Sequence, residues 1–338
     1  MKLIDIKKLQ KIITEIGLLD FFDLVIARLE LDYKNWDNFE KNARHATHSK
    51  DGVIELMPAS DSEYYAMKFV NGHPNNPSVG KLSVMAVGLL AQVADGMPLM
   101  FCEMTLLTAI RTACTSALVA KYAARPESSI LGFIGVGAQS EFQAIAFSRV
   151  FNIEKIYGYD IDHAAAIKTK NNLAKFNIDF IVASSVADVL VNCDILTTAT
   201  AAKKQDVLVH YKDIPRGCHI NAIGGDCPGK TELDINEFEK CNIIVEYIPQ
   251  TQIEGEIQNL KTNLNIIELH DLIKGNVVVR ADKDDITLFD SVGFALEDYS
   301  VLRVLYDAVL QQNIVASSDY IPKIDNPKNL FDMFINMD

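Results

Sequence analysis

The sequence predicts an α/β protein in two parts, and three observations carry that prediction. Residues 5–31 space apolar groups at helical intervals without an internal proline, and strand-like runs take over from about Asn42. From Ser129 onward apolar strands alternate with helical segments, the pattern of a parallel sheet with right-handed crossovers. A glycine-rich turn, Gly135-Val136-Gly137-Ala138-Gln139-Ser140, joins the first of those strands to the first of those helices. The expected class is therefore α/β, a Rossmann-type dinucleotide-binding domain plus an α+β domain. Residues 1–112 form the α+β domain, with the C-terminal segment 305–338 packing back on it, and residues 113–304 form the other.

Each element follows from local chemistry. The helical stretch 5–31 breaks near Gly17, and strands are expected at 52–57 and 64–70. Residues 84–94 and 98–104 flank Asp95-Gly96, a strong two-residue hairpin signal. A helix over 105–124 has Thr105 or Thr108 placed to cap it. Beyond Arg125-Pro126-Glu127 come a strand at 129–134, a helix to about Phe151 and a strand at 155–159. Helix 163–176, strand 179–183, a short helix near 185–191 and strands 193–198 and 218–223 continue the alternation. Further strands at 242–246 and 286–289 precede a last helix over 293–312.

Composition narrows the function. At 338 residues the chain can bury two substantial cores, and 49% hydrophobic with 23% charged residues is ordinary globular usage. A net charge of −13 argues against nucleic acid or an anionic membrane as partner. The N-terminal residues lack the apolar core of a signal peptide, and the apolar stretch 82–94 is too short to span a bilayer. Cysteines 102, 114, 193, 218, 227 and 241 form no CxxC pair, which fits reduced thiols in a cytoplasmic enzyme.

The glycine turn has the context of a dinucleotide site, because it follows an apolar strand and opens a helix whose N–H groups can hold a pyrophosphate. Gly135 and Gly137 make the turn, and Ser140, small enough for close packing, stands where a third glycine is usual. Asp160 ends the second strand, where a carboxylate can accept from both ribose hydroxyls and would repel a 2′-phosphate. Since Ile161-Asp162-His163 carries no Arg or Lys, NAD is expected rather than NADP. A turn chosen only for packing is the alternative.

The second informative stretch is Gly224-Gly225-Asp226-Cys227-Pro228-Gly229-Lys230-Thr231-Glu232-Leu233, directly after an apolar strand. Its two leading glycines let the backbone pass close to a ligand, and Asp226 with Lys230 suits acid–base chemistry beside a cofactor. Arg44, Lys68 and Arg111 lie in or beside apolar segments, where a cation needs an anion. A substrate carboxylate would satisfy them; solvent or an internal carboxylate would do so too. Glu55, inside Val53-Ile54-Glu55-Leu56-Met57, is the matching oddity, either an ammonium partner or the solvent face of a strand. Together they suggest an amino-acid substrate. His45 and His48 have metal-like spacing but no third ligand, and no metal site is expected. Asp282, Asp284 and Asp285 read as a solvated turn.

These motifs, with His48 to Pro58, Lys68 to Pro74 and Glu103 to Ala113, resemble the ornithine cyclodeaminase and mu-crystallin family over about residues 40 to 300. Asp226 is similar to the cyclodeaminase branch; alanine dehydrogenases and imine reductases usually differ there. The resemblance implies that Arg44, Lys68 and Arg111 hold a substrate carboxylate, Asp226 is the acid–base residue, Glu55 orients the distal amine and Val292 touches the substrate. It also implies NAD contacts at Ser83, Arg111, Ala138, Gln139, Asp160, Thr200, Lys230, Ser291 and the loop Ile223, Gly224, Gly225 and Asp226. Ser83 stands where the family usually has Thr, and the hydroxyl is kept. The implied reaction turns L-ornithine into L-proline and ammonia with NAD recycled internally. The implied assembly is a homodimer joined through the strand-rich domain, which would thus serve both substrate binding and dimerisation. A net amino-acid dehydrogenase or imine reductase, and a non-catalytic crystallin-like binder, are the rival readings.

Overall fold

The structure, a computed structural model, describes residues 1–201, 205–261, 264–312, 317–318, 320–323, 326–331 and 333. Of the expected C-terminal segment, residues 313–316, 319, 324–325, 332 and 334–338 lie outside the described residues. The N-terminal part runs β1 (Lys2–Ile4), α1 (Ile6–Ile16), α2 (Leu18–Lys34), β2 (Glu40–Lys41), β3 (His45–Ser49), β4 (Gly52–Ser60), β5 (Tyr64–Gly72), β6 (Val84–Gln92), β7 (Pro98–Glu103) and α3 (Thr105–Ala123). Among the described residues these strands form one sheet in the order β1-β7-β6-β5-β4-β2, with β3 also pairing β4. All its pairings are antiparallel except β1 on β7. Pro58, which has no N–H to give, lies on β4 between the residues paired with β2 and those paired with β3.

The second part runs β8 (Ile130–Ile134), α4 (Ser140–Val150), β9 (Lys155–Tyr159), α5 (His163–Leu173), β10 (Phe180–Val182), α6 (Val186–Leu190), β11 (Ile195–Thr198), β12 (Gln205–Val209), β13 (His219–Ala222), β14 (Thr231–Leu233), β15 (Asn242–Val245), α7 (Ile248–Glu254), β16 (Ile266–Glu268), α8 (Leu269–Ile273) and β17 (Thr287–Asp290). Its main sheet is parallel throughout, in the order β10-β9-β8-β11-β13-β17-β15-β16. The chain then ends its described helices with α9 (Ala295–Gln312).

The helix α9 returns to the first sheet from its opening turn. Tyr33 Oη donates to Glu297 Oε1 at 3.2 Å, Lys68 Nζ donates to Asp298 Oδ1 at 2.8 Å, and Ser300 Oγ donates to Asp32 at 2.7 Å. The sheet, α2, α3 and α9 bury one continuous core that includes Phe21, Met57, Leu90, Leu107, Leu296 and Leu302. Gly88 on β6 permits that approach, because a Cβ there would lie 2.3 Å from Met104 Sδ and 3.1 Å from Leu302 Cδ2. The opposite face of the sheet stays apolar and open, with Leu56, Phe69 and Val87 in one cross-strand row.

Three local expectations change. Neither Thr105 nor Thr108 caps α3; Met104 sits at the cap position, and the Glu103 carboxylate accepts from Thr105 N at 2.5 Å and Leu106 N at 3.1 Å. The acid was overlooked because it belongs to the preceding strand, yet two of the orphan N–H groups of the first turn lie within its reach. The strands β1, β2, β3, β12, β14 and β16 were also missed. They are two to five residues long, too short for a periodic signal, and only pairing with a neighbour defines them. Helices α7 and α8, of seven and five residues, went unread for the same reason.

Candidate active site

The glycine turn is shaped by what surrounds it. Gly135 has φ +86°, and a Cβ there would lie 2.6 Å from the Ala199 carbonyl oxygen. Only glycine fits. Its N–H donates to Tyr159 O at 2.9 Å, fastening the turn to the end of β9. At Gly137 a Cβ would meet nothing within 4 Å, so the turn is open on that side. Gln139 occupies the N-cap of α4 without a side-chain cap bond, leaving the first N–H groups available to an anion, and Ala138 precedes it. The Gln139 Oε1 atom is buried and unpaired. Asp160 accepts from Val136 N at 2.7 Å and Asp162 N at 2.8 Å, which fixes its carboxylate beside the turn. An open turn, an uncapped helix start and a fixed carboxylate suit the pyrophosphate and ribose of a dinucleotide.

The 223–233 loop rises from β13. Ile223 N donates to Thr198 O at 3.1 Å. The two glycines that follow are packed against buried acids: a Cβ on Gly224 would lie 2.0 Å from Glu232 Oε1, and one on Gly225 2.5 Å from Glu256 Oε1. Glu256 accepts from Glu232 N and Leu233 N, and Asp290 accepts from Glu256 N and Ile257 N, each near 2.9 Å. Burial pushes the Glu256 carboxyl up to about 7 and that of Asp290 well above its usual range. These acids brace the loop from below. At its tip Lys230 Nζ donates to Asp226 Oδ1 at 3.0 Å, with the lysine side chain 10% exposed and the aspartate 56% exposed. Asp226 is thus held in direction while open to a ligand.

Thr200 donates to Glu232 Oε1 through both N–H (2.6 Å) and Oγ1 (2.5 Å). Ser291 Oγ donates to Glu246 Oε1 at 2.5 Å, and its N–H donates to Ala222 O at 2.9 Å. Since Ala222 pairs with Asp290, the 290–293 segment and the 223–226 loop start side by side at the ends of neighbouring parallel strands. Ser83 stands apart from these on the first sheet, at the head of β6, where its carbonyl accepts from His73 N at 2.8 Å.

The cations that stood out in the sequence converge with acids. Arg44 NH1 lies 3.0 Å from Glu55 Oε2, its Nε 3.1 Å from Glu254 Oε2, and its NH2 donates to Val292 O (2.5 Å) and Gly293 O (2.7 Å). Lys68 and Arg111 share Asp298, at 2.8 and 3.1 Å, and Arg111 also pairs with Glu297. Gly293, at φ +75°, admits Arg111, whose NH1 would lie 2.6 Å from a Cβ. Internal carboxylates therefore meet all three cations, and Glu55 is buried rather than on a solvent face. Burial, with Arg111 adding to it, draws the Lys68 ammonium down to about 8 despite Asp298.

Sequence reading missed Glu254, Glu297, Asp298 and Glu246. Glu297 and Asp298 carried the same signal as Arg111, charge within an otherwise apolar helix, and the rule that found the cation would have found them. Glu254 closes a short helix in no periodic context, so only the fold brings it to Arg44.

An ornithine cyclodeaminase of Brucella suis is 42% identical over 332 residues, spanning 98% of this chain and 93% of that protein. Among solved structures, a lysine cyclodeaminase described for recognition of L-lysine, L-ornithine and L-2,4-diaminobutyric acid superposes with TM-score 0.89 at 25% identity, covering 97% of this chain and 98% of that one. An archaeal alanine dehydrogenase dimer with bound NAD superposes with TM-score 0.86 at 29% identity, covering 95% and 99%. With residues 6–313 matching throughout, the chain belongs to the ornithine cyclodeaminase/mu-crystallin family.

Proposed function

We propose that this protein is an ornithine cyclodeaminase, converting L-ornithine to L-proline and ammonia with NAD recycled in each turnover. The observation that carries the reading is the charge balance around Arg44. Its guanidinium lies between the carboxylates of Glu55 and Glu254, and Asp226 lies near enough to act electrostatically on Glu254. A site with acid to spare beside its cations suits a substrate with one carboxylate and two amines. The relatives that act on ornithine or lysine agree with that demand.

In this reading Arg44, Lys68 and Arg111 hold the substrate carboxylate, giving up part of their internal pairing as it enters. Val292 borders the substrate, and Glu55 faces the distal ammonium. Asp226, oriented by Lys230, accepts a proton from the α-ammonium and later returns one to departing ammonia. Ser83, Ala138, Gln139, Asp160, Thr200, Ser291 and residues 223–225 border the dinucleotide. The dinucleotide held by these residues would be NAD, whose reversible acceptance of hydride from Cα would supply the redox chemistry with no net oxidation.

The chain acts as a homodimer through the open apolar face of the first sheet, where Phe69 is 39% and Phe101 41% exposed. The archaeal relative is itself a dimer. A cytoplasmic setting agrees with six unbridged cysteines, five of them buried.

The deciding experiment supplies purified protein with L-ornithine and catalytic NAD and follows ammonia, proline and NADH together. Equal ammonia and proline without NADH accumulation is the expected result. NADH rising in step with ammonia would make the protein a dehydrogenase instead.

A further inference from the structure

Ring closure poses a problem that Asp226 alone does not solve. Two amines of a diamino acid carry protons at neutral pH, and the distal one must lose its proton before its lone pair can attack carbon. An alkyl ammonium of ordinary basicity, near 10.4 as for lysine, is almost never neutral in water. A second proton acceptor is needed beside the first.

Glu254 has the required placement. Its side chain is 6% exposed, and its Oε2 lies 3.1 Å from Arg44 Nε yet makes no hydrogen bond there. Glu55 occupies the other edge of the same guanidinium, at 3.0 Å. The charged groups facing Glu254 are Arg44 from the link before β3, Glu55 from β4 and Asp226 from the loop after β13. Gln258 ties its backbone to that loop, donating to Glu254 O at 3.1 Å and Lys230 O at 3.2 Å. A buried carboxylate with unfilled hydrogen-bonding capacity between a guanidinium and two acids is a receptor for an ammonium.

We infer that Glu254 is the base that removes the proton from the distal ammonium so that the ring can close. The inference rests on the cyclodeaminase reading. Once hydride has left Cα, the substrate holds an α-iminium and a distal ammonium. A proton passes from the distal nitrogen to a Glu254 carboxylate oxygen. The freed lone pair bonds to Cα, and the π pair of the iminium moves onto the α-nitrogen. A proton then shifts from the ring nitrogen to the α-nitrogen, the bond from Cα to that nitrogen breaks, and ammonia leaves a protonated cyclic imine. Hydride return completes proline. Glu254 gives its proton to the ring nitrogen and Asp226 gives its own to ammonia, which resets both acids. Burial, opposed by Arg44 and reinforced by Glu55 and Asp226, raises the Glu254 carboxyl to about 7, suited to taking and returning a proton near neutrality.

The test compares wild type with E254Q and E254D by stopped flow on the NAD-loaded enzyme. Wild type making proline and ammonia without NADH build-up secures the underlying reading; failure at that stage sinks the reading itself. In E254Q, NADH should form at a near-normal rate and then accumulate, while proline production falls roughly a hundredfold. E254D should recover part of the ring closure. Equal loss of NADH formation and turnover in E254Q, or wild-type behaviour between pH 6 and 9, would overturn the assignment. A reading independent of turnover comes from L-ornithine binding to the NADH-loaded wild type, which cannot oxidise it. Calorimetry in buffers of different ionisation heat should show proton release that fades from about pH 6 to pH 8. No such release would also overturn it, even if E254Q proved unable to fold.

Discussion

Lys68 Nζ and Asp298 Oδ1 meet at 2.8 Å with each side chain only 1% exposed, joining β5 to the first turn of α9. Asp298 also stands 3.1 Å from Arg111, which Glu297 pairs as well, so one carboxylate is shared by two buried cations from different elements. Removing one partner of such an arrangement leaves uncompensated charge out of water. Asp298→Asn should therefore destabilise the protein by about 3–5 kcal/mol, read from urea unfolding. A loss below about 1 kcal/mol would mean that the cations find other partners.

Asp226 differs, because it is open to solvent and pairs with Lys230 at the tip of a braced loop. Asp226→Asn keeps the shape and removes the proton acceptor. Turnover on ornithine should fall by roughly two decades or more, with NAD affinity and unfolding midpoint little changed. Near-wild-type turnover would remove it from the acid–base role.

The two turn glycines should separate stability from binding. Gly135→Ala places a methyl 2.6 Å from the Ala199 carbonyl oxygen at positive φ, so both stability and NAD affinity should drop. Gly137→Val projects into open space, so unfolding should shift by less than about 0.5 kcal/mol. Dinucleotide affinity, followed by fluorescence of bound NADH, should still fall at least tenfold. Unchanged affinity in the valine variant would place the pyrophosphate elsewhere.

Glu254 makes stability depend on pH with a definite sign. Its folded value is about 7, raised by burial against the pull of Arg44 and further by Glu55 and Asp226. The unfolded side chain titrates at about 4.3. Between those values the folded state holds the extra proton, so this group's contribution is full at low pH and is lost as pH rises toward 7. Wild type minus E254Q, by urea unfolding, should lose on the order of 2 kcal/mol between pH 4.5 and 8. A flat difference would contradict the buried environment.

Leu56, Phe69 and Val87 lie in register across three strands on the uncovered side of the first sheet. Phe69→Lys with Val87→Glu should convert the proposed dimer to a monomer in sedimentation at micromolar concentration. The far side of the sheet is untouched, so the circular dichroism spectrum should persist. A variant that stays dimeric would move the interface.

Local pattern alone determined much of this protein. The glycine turn, Asp160, the hairpin at Asp95-Gly96 and the long helices were legible because their signals lie within a few residues of one another. Asp226 and Lys230 could be paired for the same reason, four positions apart on one loop. Arg44, Lys68 and Arg111 were visible as misplaced charges, and so was Glu55, 11 residues from Arg44, though not as its partner. The other acids that meet the cations come from α7 and α9, and nothing in their own neighbourhoods names a partner about 200 residues away. Only the tertiary structure decided that Asp298 serves two cations and that Glu254 shares Arg44 with Glu55. Charge pairing acts through space, and its energy depends on burial and distance that the order of residues does not contain.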